Sequence, residues 1–591
     1  METLHTHHRV HTTRRTIGIS NRFSHEPAAP FFSINFTHKY ATLKRSEDMI
    51  EDILLKALRE IGIETDFVEV EIPKHEALGD ISTPTAMLLA KKLRKNPSVI
   101  ADSIIAAIKE PDIFDSIEKA GAGFINFRLK PSYLHSKLKQ LYTEGEGYLR
   151  PNAGKGRKIQ IEFVSANPTG PLHLGHGRGA ALGAAVANLL SAAGFSVEKE
   201  FYINDAGRQV KLLGESVFCR YKERTNTPCD FPKDGYHGDY VDELAGEIHK
   251  DNGDKFSNAR FDEVSEFFID YAYKAMLSEI KKDLSDFGVE FDTWQSEKEL
   301  FTNGTVIEAI KRLRDKGLIY DQDSAVWFKA TAFGDEKDRV LIKSDGQYTY
   351  FASDIAYHVL KLNRGFDELI NIWGADHHGY IPRIRAVIKA AGGDESKLLV
   401  LLVQMVMLQR GGVPVQMSKR AGEFVTLRDV TNEVGKDITR FIFLTRRPDS
   451  QLEFDMETVK KESSENPVYY IQYAYARINS VFEKARERQI PVTFDGTTDL
   501  CGLSTPEELL LIKKLIFYPT TFLNAVRTRE PHRITFYLQE LAGLFHPFYY
   551  KHRILDEEES LTRARLMLCA CVKIVIAEGL NILGVSTPDK M

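Results

Sequence analysis

Cysteine is scarce. The chain of 591 residues holds five, at positions 219, 229, 501, 569 and 571. None stands in a C-x-x-C or C-x-x-C…H-x-x-x-H arrangement, so no structural zinc site is expected, and the few thiols fit a reduced, cytoplasmic compartment. Long hydrophobic runs are absent too. None reaches membrane-spanning length, so no membrane is expected as a partner. Positive charge is not in excess: the net charge of −5 argues against non-specific coating of nucleic acid. A local basic groove stays open, because counterion release depends on local contacts. Internal repeats and low-complexity tracts are missing, and so is the P-loop pattern G-x-x-x-x-G-K-[ST].

What is present suits a globular protein of several domains, with 43% hydrophobic and 27% charged residues. Residues 1–48 differ in kind. They carry Arg9, Arg14, Arg15, Arg22, Lys39, Lys44 and Arg45, many Thr, Ser and His, and few acids. Two readings stay open: a transit peptide for a mitochondrion or plastid, or an extension upstream of a start at Met49. Either way the segment is expected to be disordered and is set apart from the fold. Met49–Ile63 places Ile50, Ile53, Leu54, Leu58 and Ile61 at helical spacing. Strand-like FVEVEI (67–72), two helix patterns near 82–95 and 97–109, and a strand at GFINFRL (123–129) complete an α+β module over 49–140. PNAGKGRK (151–158) reads as a linker.

A strand-like run, Ile159–Val164, opens the next unit. It leads into a Gly-rich turn, an Ala-rich helix pattern and a further strand near Val197–Ile203, the start of a nucleotide-binding α/β unit. Residues 206–335 read as a helical, charged insertion, and a second βα series is expected to resume near Val340. From about 455 the chain reads as helices.

The turn carries the chemistry. SANPTGPLHLGHGRGAALGAAVANLL begins at Ser165. A helix start behind a parallel strand offers free N–H groups and the positive end of the helix dipole. His173 and His176, three apart, share a face there and can donate toward phosphate oxygens, stabilising charge on an α-phosphate under attack. Gly175 and Gly177 remove side chains where a base or ribose approaches the backbone. The bland alternative is a tight turn with incidental histidines. A second piece, VPVQMSKRAGEF (413–424), is a flexible loop able to bring Lys419 onto the β,γ-phosphates, or else an ordinary surface turn.

Together these pieces resemble the HIGH and KMSKS signatures of class I aminoacyl-tRNA synthetases. EFVSANPTGPLHLGHGRGAALGAAVANLLSAAGF and YINDAGRQ (202–209) are similar to the bacterial-type arginyl enzymes. So are GADHHGY (374–380), GEFVTLRDV (422–430), NPVYYIQYAYAR (466–477) and the closing LGVSTPDKM. The likeness spans roughly 49–591. It implies a multidomain α/β fold: an N-terminal α+β tRNA-contacting domain (49–140), a split Rossmann-like catalytic domain (155–430, with the insertion at about 206–335) and a C-terminal all-α anticodon-binding bundle (455–591). It implies ATP with Mg²⁺, L-arginine and tRNA(Arg) as partners, ligation through arginyl-adenylate, arginine activation that needs tRNA, and a monomer.

The resemblance also implies residue roles. His173, Gly175, His176, Asp376, Met417, Ser418 and Lys419 would bind ATP, with His173, His176 and Lys419 catalytic. Gln416 and Arg420 depart from the second signature, and Thr169-Gly170-Pro171 offers no substitute lysine, so the lysine role falls to Lys419. Ser165, Ala166, Asn167, His176, Tyr350, Asp354 and His378 would bind arginine, with Asp354 accepting the guanidinium fork. Without the resemblance, Asp354 reads as an acid in the first turn of a helix. Tyr469, Tyr473 and Arg477 would stack on or hold tRNA. No protein metal ligands are expected. Two other functions compete. Asp376-His377-His378 occurs in metal-dependent phosphoesterases, but no Asp-rich partner motif precedes residue 160. A tRNA-binding paralogue without activity is the other, and the retained His173, His176, Asp354 and Lys419 argue against it.

Overall fold

The computed structural model describes residues 50–591 except 66–67, 74–77, 111, 416–424, 462, 464 and 556–557. The expectations for residues 1–48 lie outside the described residues. The strands run in chain order as β1 (Ile81–Thr83), β2 (Phe114–Ala120), β3 (Phe124–Leu129), β4 (Lys158–Glu162), β5 (Ser196–Ile203), β6 (Thr293–Ser296), β7 (Ile319–Gln322), β8 (Ala325–Phe328), β9 (Arg339–Ile342), β10 (Glu368–Gly374), β11 (Leu398–Val403), β12 (Val406–Arg410), β13 (Val413–Pro414) and β14 (Leu452–Asp455).

In the N-terminal module the helix Ile50–Glu60 buries Ile50, Ile53, Leu54 and Leu58, as its spacing requires. Helix Pro97–Ala107 starts where Asn96 accepts from the Ser98 amide at 2.9 Å, with proline in its first turn. The sheet is antiparallel, in the order β1-β3-β2. The expected strand at 67–72 is not a strand among its described residues, where only Glu71 makes a bridge, to Ser82. Val68 is buried and Ile72 half exposed, and the Glu69 backbone is taken up by the side chains of Thr83 and Thr85 instead of a strand ladder.

The central sheet is parallel, in the order β11-β10-β4-β5-β6. The chain leaves β4 toward β5 on one side and later returns as β10 on the other. The crevice beyond the C-terminal end of β4 is therefore a topological switch point, where α/β folds place ligands. Helix Leu174–Ala192 makes the first crossover. A side chain at Gly183 would collide with the Phe163 ring at 2.2 Å, so the Ala/Gly content of this helix lets it lie close on the sheet.

The insertion is less uniform than its composition suggests. Helices Arg208–Arg224, Asp239–Asn252 and Phe261–Asp286 enclose their own core of Leu213, Val217, Tyr221, Val241 and Phe268. The same segment supplies β6 to the central sheet, while β7, β8 and β9 form a small antiparallel sheet in that order. Val340 therefore lies in that small antiparallel sheet, and the second βα series begins at helix Tyr350–Asn363 and β10. Four-residue strands carry too little alternation to be read against a helical background. Against the expectation of reduced thiols, Cys219 and Cys229 are disulfide-bonded, Cα–Cα 5.3 Å. The turn after helix Arg208–Arg224 brings together two residues that share no recognisable motif.

Beyond β12–β14 the chain is helical: Pro467–Glu487, Pro506–Ile516, Tyr518–Thr528, His532–Lys551 and Glu559–Leu583. Glu559–Leu583 and the stretch Pro506–Thr528 match a membrane span in length and apolar composition, contrary to the sequence expectation. Both are mostly buried within the protein, Glu559–Leu583 for 72% of its apolar window. Core helices enclosed on all sides become apolar all round for the same reason that membrane helices do.

Candidate active site

The site begins where β4 ends. Val164 and Ser165 both adopt left-handed backbone, φ 67° and 39°. Two such residues in succession, one β-branched, are costly and persist where the surroundings hold them, commonly at functional sites. The turn directs Ser165 Oγ back to donate to Glu162 Oε1 at 3.1 Å and to accept from the Tyr202 amide at 3.1 Å. Ala166 is buried, and Asn167 donates to Gln209 at 2.7 Å, tying the strand end to the start of helix Arg208–Arg224.

His173 caps helix Leu174–Ala192. Its Nδ1 accepts from the Gly175 and His176 amides at 3.1 and 3.4 Å, and His176 Nδ1 accepts from the His173 amide at 3.4 Å. The imidazoles stack with centroids 3.6 Å apart. A neutral imidazole whose Nδ1 accepts carries its proton on Nε2, so both rings present N–H donors at a helix N-terminus. Gly175 is required by this stack, since a Cβ there would lie 3.0 Å from the His173 ring. Gly177 is different from its expected role. It is buried, and a side chain there would meet Leu427 at 2.6 Å and Phe443 at 3.1 Å. It serves packing of the two segments, not approach of a base.

Met417, Ser418 and Lys419, with Gln416 and Arg420, lie outside the described residues. Their C-terminal flank meets the first histidine. His173 and Thr426 form an antiparallel bridge, and the Leu427 amide donates to the Leu172 carbonyl at 2.8 Å. On the other flank, Gly411 and Gly412 donate to Asp455 at 3.0 and 2.8 Å. Arg178, 2% exposed, donates to the carbonyls of Gln404, Arg447 and Ser450, so the helix carrying the histidines is bolted to the strand system that leads to the second signature.

Deeper in the crevice lie the carboxylates. Asp354 stands in the second turn of helix Tyr350–Asn363, whose first turn holds no acid, so the helix-start reading fails. Burial, with Glu162 nearby, pushes its carboxyl up to about 7, although a hydrogen bond from the Tyr380 hydroxyl opposes that rise. Glu297, which opens helix Glu297–Thr302, was not anticipated. It is 3% exposed, accepts from Ser353 Oγ at 2.5 Å, and its Oε2 is buried without a partner. Burial, only partly offset by the Ser353 hydrogen bond, and the charges of Asp354 and Asp205 push it up to about 7. Asp205 fixes this region by accepting from Ser296 Oγ at 2.6 Å and the Lys298 amide at 2.8 Å.

Glu162, also not anticipated, faces the opposite condition. Burial alone would raise its pKa, but the Lys361 ammonium, 2.5 Å away and fully buried, holds the carboxylate below its ordinary range. Lys361 also donates to Asn371 at 3.0 Å, and Tyr357 donates to both Glu162 and Glu200. The buried His358 is held neutral, its pKa depressed to about 4 by burial and the Lys361 charge. The site thus combines one neutralised carboxylate with two acids lacking any cation. That is the charge pattern of a receptor for a cationic side chain. No sequence signal marked Glu162 or Glu297, because each sits in a short strand or helix that reads as ordinary.

The remaining predicted residues lie at the rim. Tyr350 is 54% exposed, and its hydroxyl crosses Gly207, where a Cβ would sit only 2.8 Å from it. Asp376 and His378 lie on the exposed turn Ala375–Tyr380. That turn reaches Asp354 through Tyr380, not through His378. Among the described residues no group of three His, Cys, Asp or Glu is arranged to hold a metal, and Asp376 pairs only loosely with His377, at 3.7 Å.

On helix Pro467–Glu487, Tyr469 and Tyr473 stack with centroids 5.9 Å apart. The Arg477 guanidinium lies over Tyr473, Tyr549 and Tyr550 at 4.3, 4.6 and 4.9 Å, and donates to the hydroxyls of Tyr473 and Tyr550. Tyr475, by contrast, is a core residue.

Residues 137–480 match the profile described as tRNA synthetases class I (R), catalytic domain. Residues 48–129 match the arginyl tRNA synthetase N terminal domain, and 471–591 the DALR anticodon binding domain. The chain is 50% identical to an arginine–tRNA ligase of Citrifermentans bemidjiense, over 89% of this chain and 96% of that one. It is 45% identical to the arginine–tRNA ligase of Aquifex aeolicus, over 92% and 100%. The fold matches that of Thermus thermophilus arginyl-tRNA synthetase with TM-score 0.73 at 23% identity, covering 92% and 99% of the two chains.

Proposed function

Because the chain belongs to the arginine–tRNA ligases of class I, an ATP-dependent family that joins arginine to tRNA, we propose how its own residues divide that work. The arginine guanidinium enters between Asp354 and Glu297. The single observation that carries this reading is a pair of acids, Glu297 buried and Asp354 half-buried, both pushed up to about 7, with Glu297 Oε2 unpartnered. A guanidinium restores their charge by offering two parallel donors, and a substrate without that fork leaves the acids unpaired, which discriminates strongly. Ser165, Ala166 and Asn167 line the other end of the substrate, next to Glu162 and beneath Tyr350, with His378 at the rim.

ATP lies over the His173–His176 stack, with Gly175, Asp376, Met417, Ser418 and Lys419 as its other contacts. An arginine carboxylate oxygen attacks the α-phosphorus, the bond to the β-phosphate oxygen breaks, and pyrophosphate leaves with that electron pair. The Nε2–H groups stabilise the equatorial charge as it forms. A tRNA 3′-terminal ribose hydroxyl then attacks the adenylate carbonyl carbon, and AMP departs. Mg²⁺ enters with the ATP phosphates as part of the substrate. The bundle face of Tyr469, Tyr473 and Arg477 receives tRNA(Arg), the domains divide at 49–140, 155–430 and 455–591, and the protein acts as a cytoplasmic monomer.

The test is ATP–pyrophosphate exchange across the twenty amino acids, with and without tRNA bearing an arginine anticodon. Exchange for arginine alone, and only with tRNA, is expected. Exchange with lysine at a comparable rate would sink the two-carboxylate pocket.

A further inference from the structure

We propose that Tyr380 is the positioning residue of the arginine pocket, holding Asp354 in the orientation that receives the guanidinium. The inference rests on the reading of Asp354 above and extends it to a residue with no anticipated role.

The geometry is specific. The Tyr380 hydroxyl donates to Asp354 Oδ2. It comes from the end of the turn Ala375–Tyr380, which follows β10, whereas Asp354 stands on helix Tyr350–Asn363. A carboxylate has about four lone-pair directions. One donor on Oδ2 therefore fixes the rotamer and still leaves both oxygens open to a fork of two N–H groups. Tyr380 is itself held on two sides. Its ring meets Trp373 edge-on at 6.3 Å, and the Arg383 guanidinium lies 5.1 Å above it. The hydroxyl is thus presented from a clamped ring.

The surroundings explain why a donor is needed. Asp354 faces Glu162 from β4, Glu297 from helix Glu297–Thr302, Tyr202 from β5 and Tyr380 itself, while its own carbonyl is bonded to His358 Nδ1 at 2.8 Å. Among these neighbours only Tyr380 hydrogen-bonds its carboxyl and favours the charged form. The cations nearby, Arg339 on β9 and Arg383 on helix Ile381–Ala391, act on Tyr380 rather than on Asp354 directly. Both partly offset the rise that burial and Asp354 impose on the hydroxyl's proton affinity. Lys361, the buried cation of this region, is paired with Glu162, and among the described residues no cation pairs with the Asp354 carboxyl.

Tyr380→Phe keeps the ring and its packing and removes only the donor. The experiment is steady-state aminoacylation by the full chain from pH 6 to 9, with arginine and ATP varied separately, beside Asp354→Asn. For Tyr380→Phe the expected result at pH 7 is an arginine KM raised about ten- to a hundredfold, the range for a hydrogen bond to a charged group. The acid limb of kcat/KM for arginine should move to higher pH, the defect should shrink by pH 9, and the KM for ATP should hold. A ring that only packs would leave the limb where it is. If Asp354→Asn impairs arginine use and Tyr380→Phe moves neither the KM nor the limb, the role of Tyr380 is refuted while the guanidinium pocket stands. If Asp354→Asn also leaves the arginine KM unchanged, the pocket reading fails and this one with it.

Discussion

His173 and His176 each accept a backbone amide on Nδ1, so at the scale of single residues their chemistry is settled by capping. That makes the two separable by experiment. Replacing His176 by Ala removes one donor aimed at the phosphates, and adenylate formation should fall by about 10²–10³, as for loss of one oxyanion donor. His173→Ala removes the N-cap that accepts two amides, against the single reciprocal bond lost with His176, and so carries the larger stability loss, about 1 kcal/mol. Single-turnover rates and thermal melts read the two effects apart. If His176→Ala turns over normally, the histidine has no part in the step. The acid pair gives a pH dependence with a definite sign. Asp354 and Glu297 titrate near 7 without substrate, and only their charged forms attract a guanidinium. The arginine KM should therefore rise as pH falls below about 7 and level off above it. The same shift acts on folding. Between the ordinary carboxylate range and about 7 the folded protein holds protons that the unfolded chain has released, so these two groups lower stability as pH rises through that window. Saturating arginine should flatten that slope in melts taken from pH 5 to 8.

At the scale of elements, the decisive pair is β4 with helix Tyr350–Asn363, joined by Glu162 and Lys361. Breaking a buried ion pair leaves an uncompensated charge, at a cost of about 3–5 kcal/mol, so Lys361→Met should lower the melting temperature far more than a surface lysine would. Glu162→Gln/Lys361→Met together should recover part of the loss. A double variant no better than Lys361→Met would mean that the pair is not the source. Helix Pro467–Glu487 makes a different prediction. Arg477 lies over three tyrosines, and lysine keeps the charge but loses the planar stack. Arg477→Lys should raise the KM for tRNA by about tenfold, taking roughly 1–2 kcal/mol for lost stacking, and leave the KM for arginine and ATP unaltered. The Ala/Gly run after His173 was legible as a helix, but its purpose was not. Gly183 and Gly177 admit Phe163 and Leu427, residues that a local reading has no means to pair with them.

At the scale of the molecule, buried and half-buried arginines join the parts. Arg440, 1% exposed, donates to the carbonyls of Phe287, Gly288 and Leu583 at 2.9, 3.1 and 3.2 Å, linking the end of the insertion, helix Lys436–Phe443 and the last helix. Arg150 pairs with Glu578 at 2.6 Å, and Arg529 with Glu368 at 2.7 Å, tying the bundle to the helix before β4 and to the central sheet. Arg440→Met leaves the buried carbonyls of Phe287 and Leu583 without their donor, each worth about 1–3 kcal/mol. It should lower the melting temperature by several degrees and change arginine and ATP KM little at low temperature. A variant with wild-type melting would show that these carbonyls find other partners.

The amino-acid sequence by itself determined the local geometry of the turn where we propose that phosphate binds. Capping histidines, glycines and the strand-to-helix turn act within a few residues of one another, so the local order of the chain suffices to make them. It also pointed to Asp354 as the proposed guanidinium acceptor, but only through likeness to a family, since Asp354 in isolation resembled a helix-start acid. Tertiary structure alone decided which groups surround that acceptor. Glu162, Glu297 and Tyr380 arrive from β4, from the helix after β6 and from the turn after β10, and strand order in the parallel sheet, not sequence distance, sets them side by side. Burial then shifts their proton affinities, and burial is a property of the assembled molecule. No residue carries it in its own name.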